Sequence, residues 1–121
     1  MQDCIFCKIV KSELPSYKVY EDNDFLAFLD INPLSPGHCQ IIPKEHCRWV
    51  WDYPEAGKYF EIVKKIALAE QKAFQTESIL VKIDGQDVHH AHIWVYPHQS
   101  TPGDAKDFKQ NLELLSQAMS Q

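Results

Sequence analysis

Hydrophobic and polar positions along the chain predict five strands and two helices. Short apolar runs bounded by turn-forming residues predict strands at residues 18–21, 25–29, 38–42, 78–83 and 88–96. Apolar positions recur at helical spacing over 54–74 and 107–119, which predicts one long helix and a C-terminal helix. Asp84-Gly85-Gln86 predicts a tight hairpin turn between the last two strands. Strands on both sides of a long helix, with hairpin connections, indicate an antiparallel α+β fold.

Length and charge limit the class of protein. The chain has 121 residues and a formal net charge of −5, which predicts one domain over residues 1–121 and argues against nucleic-acid binding by charge alone. No apolar run approaches the roughly 18 residues that span a membrane, so no membrane association is expected. The N-terminus shows no basic segment followed by an apolar stretch, so we expect no secretory signal and a cytoplasmic protein.

Four Cys and six His are the unusual part of the composition. Cys4 and Cys7 have the two-residue separation that lets both thiolates reach one zinc ion. The pair can also be two inert thiols, and a redox motif would need a preceding strand that the residues before Cys4 do not predict. In a reducing compartment paired thiols more often bind metal or do redox chemistry. A zinc site requires two further ligands, which the histidines would have to supply.

Residues 89–96 carry the strongest chemical signal in the chain. Alternate side chains of a strand point to opposite faces, so His90, His92 and Trp94 are predicted to share one face. Their two imidazoles would then be about 7 Å apart at the level of the backbone. One imidazole held by a neighbour can attack phosphorus or a carbonyl carbon, whereas two can bind one metal. A third interpretation is a pair of hydrogen-bonded histidines with no further role.

Several motifs follow one another in order up to about Pro97. They read DCIFCKIV, ELP, VYED, AFLDINP, PGH, IIPKEH and GQDVHHAHI. Together they resemble the histidine triad (HIT) family of nucleotide-binding hydrolases and transferases. The motif-bearing part covers residues 3–97, and residues 98–121 form a covering segment. The resemblance implies an α+β fold with a five-stranded antiparallel sheet and, commonly, a homodimer.

The resemblance also implies a reaction and a binding site. In the family, the middle triad histidine attacks the α-phosphorus of a purine nucleotide derivative, and water cleaves the nucleotidyl-histidine intermediate. That position is His92 here, and the implied enzyme is a nucleotidyl hydrolase or transferase of the phosphoramidate or dinucleoside polyphosphate type. Asp30 would accept hydrogen bonds from the ribose hydroxyls. The full set of implied substrate-binding residues is Ile5, Phe6, Ile9, Leu14, Asp30, Gln86 and Trp94.

For the metal, the resemblance supplies the two missing ligands. Some family members with the N-terminal cysteine pair bind a structural zinc through the histidine after the Pro-Lys pair and the first triad histidine. These positions complete a predicted site of Cys4, Cys7, His46 and His90, a closed tetrahedral donor set. Zinc would hold His90 rigidly and leave the middle histidine free. Cys47, next to His46, is the residue most easily mistaken for a ligand.

Three departures from the family pattern surround the expected phosphate position. Trp94 stands at the third triad position, where most members have histidine, and an indole N–H can donate a hydrogen bond but cannot deliver a proton. Asp87 places a carboxylate where many members have a neutral residue. The loop before Gly85 lacks the Asn-containing stretch that helps bind phosphate. The alternative is therefore a nucleotide-binding module with weak or no catalysis, and a third hypothesis is a zinc-stabilised interaction protein.

Overall fold

The computed structural model describes residues 4–120. A short 3₁₀ turn, Val50–Asp52, connects the first three strands to the long helix. The elements within the described residues are α1 Ile5–Val10, β1 Lys18–Glu21, β2 Phe25–Leu29, β3 Cys39–Pro43, α2 Ala56–Phe74, β4 Ile79–Lys82, β5 Ile93–Pro97 and α3 Phe108–Met119. Within this part of the chain, no helix combines the length and apolar character required to cross a bilayer.

The strands form one antiparallel sheet in the order β1-β2-β3-β5-β4. The predicted fold, α+β with a five-stranded antiparallel sheet, is thereby confirmed. β1 and β2 have the predicted bounds, because Asp22 accepts hydrogen bonds from the N–H groups of Asp24 and Phe25 and closes the turn between them. β3 is displaced by one residue, because Pro43 pairs with Phe25 as the last residue of the strand instead of preventing pairing.

The two faces of the sheet enter different hydrophobic clusters. In β2, Phe25 and Leu29 pack with residues of α2 and α3, whereas Phe28 packs with Phe6 of α1. This strand is buried on both faces because side chains alternate along it. The face toward α1 also carries Gln40 of β3, which lies opposite Phe28 on one side and Trp94 on the other. Polar and aromatic side chains thus lie side by side on the face that the short helix covers.

The long helix α2 provides most of the cover for the opposite face. Its buried positions include Tyr59, Val63 and Ile66, which belong to the predicted apolar stripe. The helix ends at Phe74, as predicted, because Gln75 adopts a left-handed conformation with φ of 52° and its N–H bonds back to a carbonyl of the last turn. Glu70 is also fully buried in this stripe, which the hydrophobic pattern did not predict.

The connection between β4 and β5 corrects the sequence-based prediction. The predictions of a tight hairpin at residues 84–86 and of a long strand over 88–96 are both wrong. Lys82 pairs with Trp94, and residues 83–92 form an irregular loop. His90 and His92 therefore lie before β5 and not on its face. The reason is that residues in this loop form hydrogen bonds to the segment 43–47 and not to a neighbouring strand. The Ala91 N–H donates to the Cys47 carbonyl at 2.7 Å, and His90 bonds to the Pro43 carbonyl.

Candidate functional site

Four side chains from separate parts of the chain converge beside α1. Cys4, Cys7, His46 and His90 each place one potential ligand atom within 4.8 Å of the other three. Cys4 is the N-cap of α1, and its Sγ accepts the Cys7 N–H at 3.3 Å. His46 comes from the segment after β3, and His90 comes from the loop before β5. These are the four predicted ligands, and Cys47 does not belong to the group.

The distances in this group fit a tetrahedral cation site. The Cys4 Sγ lies 3.3 Å from the Nδ1 of His90, the Cys7 Sγ lies 3.3 Å from the Nδ1 of His46, and the two Nδ1 atoms are 3.2 Å apart. Ligand distances usual for zinc, about 2.3 Å to sulfur and about 2.0 Å to nitrogen, give tetrahedral edges of roughly 3.3 to 3.8 Å. The group can therefore hold a metal ion.

The imidazole of His90 is oriented by a backbone carbonyl. Its Nε2–H donates to the Pro43 carbonyl at 2.8 Å, so its Nδ1 keeps a lone pair toward the cysteines. Burial lowers the pKa of His90, although the Pro43 carbonyl opposes the shift, and the imidazoles of His46 and His92 lower it further. A neutral imidazole is the form that binds a metal.

The raised pKa of the Cys7 thiol also favours a bound cation. Burial raises the pKa of the Cys7 thiol to about 11, and the adjacent Cys4 adds to the shift because two thiolates repel each other. The positive charge of Lys11 offsets only part of this shift, so a bound cation would replace a proton here.

His92 lies two residues further along the loop and lines a separate cleft. The residue is 6 % exposed, and its Nδ1–H donates to the His90 carbonyl at 2.8 Å. Its ring meets the ring of Phe6 edge to face, with centroids 5.3 Å apart. Among the described residues, its Nε2 has no hydrogen-bond partner. Because a carbonyl can only accept, Nδ1 carries a hydrogen, and in the neutral ring the lone pair is on Nε2.

The cleft has a volume of about 300 Å³ and lies on the α1 face of the sheet. Its size is at the lower end of small-ligand sites. Three of its lining groups are carboxylates, and none of its lining residues is a Lys or an Arg. Lys82 lies beside the cleft, with its Nζ 5.1 Å from the centre of the Trp94 ring. The lining residues are Phe6, Asp30, Asn32, Gln40, Asp84, Asp87, Val88, His92 and Trp94.

A hydrogen-bond network fixes the carboxylate of Asp30. Its Oδ1 accepts the Asn32 N–H at 2.8 Å, and its Oδ2 accepts the Gln40 Nε2–H at 3.1 Å. The Nδ1 of His38 accepts the Leu34 N–H, so the Nε2 of His38 carries the proton and points toward the Asp30 Oδ2 at 3.5 Å. Burial lowers the pKa of His38, against the opposing effect of Asp30, and the imidazole remains neutral. Asp30 is thus a pre-oriented acceptor.

The structure brings together only part of the predicted substrate site. Phe6, Asp30, His92 and Trp94 line the same cleft, but Ile5, Ile9, Leu14 and Gln86 are not in its lining. Ile9 is buried in the cluster beneath α1, whereas Ile5 and Leu14 are 47 % and 36 % exposed. The exposed Gln86 donates its N–H to Asp84.

Sequence reasoning missed Asn32, Gln40, Asp84 and Val88 as lining residues. Gln40 carried a usable signal, because it is a polar residue inside an otherwise apolar strand. Asn32 follows Asp30 by two residues and carried no signal of its own.

The sheet, the short helix and the two inward-facing histidines define an α+β protein with a metal-binding group next to a histidine-bearing cleft. The HIT domain model matches residues 11–101, and the chain belongs to the HIT family. Cys4 and Cys7, which belong to the candidate metal site, lie before the matched residues.

Three relatives show the range of the family. An uncharacterised HIT-like protein of Borreliella burgdorferi is 42 % identical over 94 % of this chain and 90 % of its own length. An adenosine 5′-monophosphoramidase of Saccharomyces cerevisiae is 40 % identical over 78 % of this chain and 61 % of its own length. An adenylylsulfatase of Arabidopsis thaliana is 38 % identical over 80 % of this chain and 53 % of its own. The family thus includes hydrolases of nucleotide derivatives.

Solved structures agree with the fold, and one of them is a zinc-bound relative. A HIT-like protein from Bartonella henselae is 34 % identical and superposes with a TM-score of 0.86 over 98 % of both chains. A zinc-bound histidine triad protein from Mycobacterium smegmatis is 29 % identical, with a TM-score of 0.84 over 98 % of this chain and 94 % of its own.

Proposed function

We propose that this HIT protein is a nucleotide-binding hydrolase or nucleotidyl transferase that acts on the α-phosphate of a purine nucleoside phosphate derivative through His92. The observation that carries the proposal is the oriented imidazole, whose Nδ1–H is bonded to the His90 carbonyl and whose Nε2 faces the cleft. An imidazole held in this tautomer is a competent nucleophile toward phosphorus. The phosphoramidase and adenylylsulfatase relatives support it, since both act on an adenylyl group.

The nucleoside is assigned to the α1 side of the cleft. Phe6 supplies an apolar wall, backed by the buried Ile9. Ile5 and Leu14 offer exposed apolar surface that a purine base can cover. Asp30, held by hydrogen bonds from the Asn32 N–H and the Gln40 amide, is the acceptor for the ribose hydroxyls. Because carboxylates are acceptor-only when ionised, this position suits a pair of hydroxyl donors.

The reaction takes two displacements at one phosphorus. The Nε2 of His92 attacks the α-phosphorus, the bond to the leaving group breaks, and its electron pair goes to the leaving group. Water then attacks the phosphorus of the nucleotidyl-His92 intermediate, the P–N bond breaks, and its electron pair returns to Nε2. The water releases one proton. Gln86, on the loop before His92, is assigned to the phosphate side.

We also propose that Trp94 stands in place of the third triad histidine. Trp94 lines the cleft beside His92, so its indole is close enough to meet the phosphate region. An indole donates a hydrogen bond but has no proton to transfer. A leaving group that must be protonated therefore obtains its proton from water, and its departure is slow.

A second candidate function is a nucleotide-binding module with weak or no catalysis. The observation that favours it is the same Trp94, together with two carboxylates, Asp84 and Asp87, that line the cleft. In that case Asp30 and Phe6 hold the nucleoside, while the nucleophile remains idle.

The metal is proposed to be zinc, held by Cys4, Cys7, His46 and His90. Two thiolates and two imidazoles are a donor set typical of structural zinc, and the zinc-bound relative supports the assignment. Bound there, the ion supplies a cross-link and not a reacting group. His90 then fixes the backbone carbonyl that orients His92.

Assembly and compartment complete the proposal. The edge strand β4 leaves its outer side unpaired within the described sheet, and Val81 on it is 47 % exposed, which supports a homodimer through this edge. Light scattering on purified protein tests the dimer, with Val81→Lys expected to shift it toward monomer.

Reduced cysteines in the metal group support a cytoplasmic location.

The test is to incubate the protein with an adenosine phosphoramidate or a dinucleoside polyphosphate and follow both products and intact mass. We expect turnover, and a mass increase of one adenylyl group when the reaction is quenched early. His92→Ala abolishes both. Binding without adduct or product would establish the module instead.

The metal is tested separately by native mass measurement, with one zinc expected in the wild type and none in Cys4→Ser.

A further inference from the structure

The cleft has acidic side chains in its lining and a lysine beside it. Asp84 and Asp87, in the loop that carries His92, line the cleft, and no Lys or Arg belongs to the lining. Lys82 is the last residue of β4, and its Nζ lies 5.1 Å from the centre of the ring of Trp94, which does line the cleft. A phosphate brought to the histidine therefore meets negative charge unless the lysine compensates it.

The register of the sheet places Lys82 on the face that carries the cleft. Lys82 and Trp94 are direct partners in β4 and β5, and Trp94 is in turn the partner of Gln40 in β3. Directly paired residues of antiparallel strands project their side chains to the same face. Gln40 and Trp94 line the cleft, so Lys82 continues this row at its β4 end. Gln40, at the other end, holds the proposed ribose acceptor Asp30, which puts the ammonium at the end away from the ribose.

The ammonium of Lys82 is available to a ligand. The residue is exposed, and within residues 4–120 its Nζ forms no ion pair with a carboxylate. Lys18, Lys44 and Lys58, by contrast, are paired with glutamates. A cation–π contact at an exposed site is weak, whereas a hydrogen bond between an ammonium and a phosphate is charge-assisted. Lys82 can therefore turn from the indole to a phosphate at little cost.

We propose that Lys82 is a further substrate-contacting residue of this site, whose ammonium binds the phosphate oxygens of the nucleotide beside the indole of Trp94. The inference rests on the function proposed above and adds a residue to that site. Lys82 supplies charge and hydrogen bonds, and no bond to it forms or breaks in the two displacements at phosphorus.

Trp94 gives the physical reason for a cation at this place. An indole offers one N–H donor and no positive charge. Its direct strand partner on β4 carries the charge that the indole lacks. Without that ammonium, the carboxylates of Asp84 and Asp87 would be left to face the phosphate uncompensated.

The experiment compares a charged ligand with its neutral core, adenosine monophosphate with adenosine, by isothermal titration. In Lys82→Met we expect the dissociation constant of the monophosphate to rise about tenfold at low ionic strength and less at high salt, and that of adenosine to stay unchanged. Lys82→Arg keeps the charge and should recover most of the lost affinity. Lys109→Met removes an exposed lysine from α3, on the other side of the sheet, and should leave both constants unchanged. Thermal unfolding of each variant shows that the fold is retained.

The outcomes separate this inference from the function on which it rests. An equal rise for both ligands in Lys82→Met would overturn it, because the lysine would then support the cleft without meeting the phosphate. An unchanged constant for the monophosphate would overturn it as well, while leaving the nucleotide site in place. Lys82-dependent binding of the monophosphate, with no turnover of the substrates named above, would support Lys82 and reject the enzyme. Failure of the wild type to bind the monophosphate would reject the nucleotide site and the role of Lys82 together.

Discussion

His90 and His92 are two residues apart and both rings contact Phe6, yet their surroundings give them different chemistry. His90 uses both nitrogens, one on the Pro43 carbonyl and the other toward two cysteines. His92 uses one nitrogen on a neighbouring carbonyl and leaves the other free. The difference lies in which backbone groups each ring can reach. An irregular loop, rather than a strand, allows two nearby imidazoles to meet different groups, so that one joins the candidate metal site and the other lines the cleft.

The largest expected effect comes from substituting His90, the residue of the pair that belongs to the candidate metal site. His90→Ala should lose the metal and lower the free energy of unfolding by at least about 3 kcal/mol, because a metal ligand and a fully buried ring disappear together. Native mass measurement and thermal unfolding check both effects. His92→Asn is the matched control and should retain the ion. Retention of the ion in His90→Ala would show that this residue is not a ligand.

The next effect concerns the ribose side of the cleft. Asp30→Asn should weaken binding of adenosine monophosphate roughly thirtyfold, since a charged acceptor of about 2 kcal/mol is replaced by an amide that brings its own donors. Isothermal titration measures it, with Asp24→Asn on the exposed β1–β2 turn as the control of equal charge. Unchanged affinity would remove Asp30 from the site.

A smaller effect tests the indole beside His92. Trp94→His should raise kcat about tenfold for an amide whose leaving nitrogen must be protonated, because an imidazolium can deliver a proton. For a leaving group that departs as a stable anion, the same change should have little effect. Steady-state kinetics on one substrate of each type make the comparison. An equal change for both would contradict the assigned role of Trp94.

The smallest effect concerns Glu70, which lies on the opposite side of the sheet from both histidines. Burial raises the pKa of Glu70 well above its usual value, against a smaller opposing effect of Cys39. The folded-state pKa is thus higher than the unfolded one, so this stabilisation is complete below about pH 4.5 and is lost as the pH rises through the folded-state pKa. In Glu70→Gln the fall in unfolding free energy from pH 5 to 8 should be about 1 kcal/mol smaller than in the wild type.

Chemical denaturation at several pH values measures the Glu70 effect. Glu61→Gln, on the exposed side of the same helix, is the control and should follow the wild-type curve. A Glu70→Gln curve parallel to that of the wild type would mean that Glu70 is already ionised in the fold.

Local patterns predicted the elements whose partners are adjacent in sequence. β1 and β2 were located as short apolar runs on either side of the turn-forming residues 22–24, and α2 was located by its apolar period. The loop 83–92 was misassigned, since its alternation is that of a strand while its bonds go to Pro43 and Cys47 in another segment. Gln40 was missed for the same reason, because its place in the cleft depends on sheet register. The four residues of the candidate metal site were named from the ordered motifs of the family resemblance and not from any one spacing.

The six-residue helix α1 joins the two halves of the site. Cys4 and Cys7 at its start belong to the metal-binding group, and Phe6 between them lines the cleft. A helix this short does not persist alone in water, so both binding events draw on the same ordering step. Thermodynamic reciprocity then requires that a ligand packed on Phe6 tightens metal retention by the factor with which the metal tightens the ligand. If the proposed zinc and nucleotide both bind, the affinity for the nucleotide would therefore depend on how much metal is available.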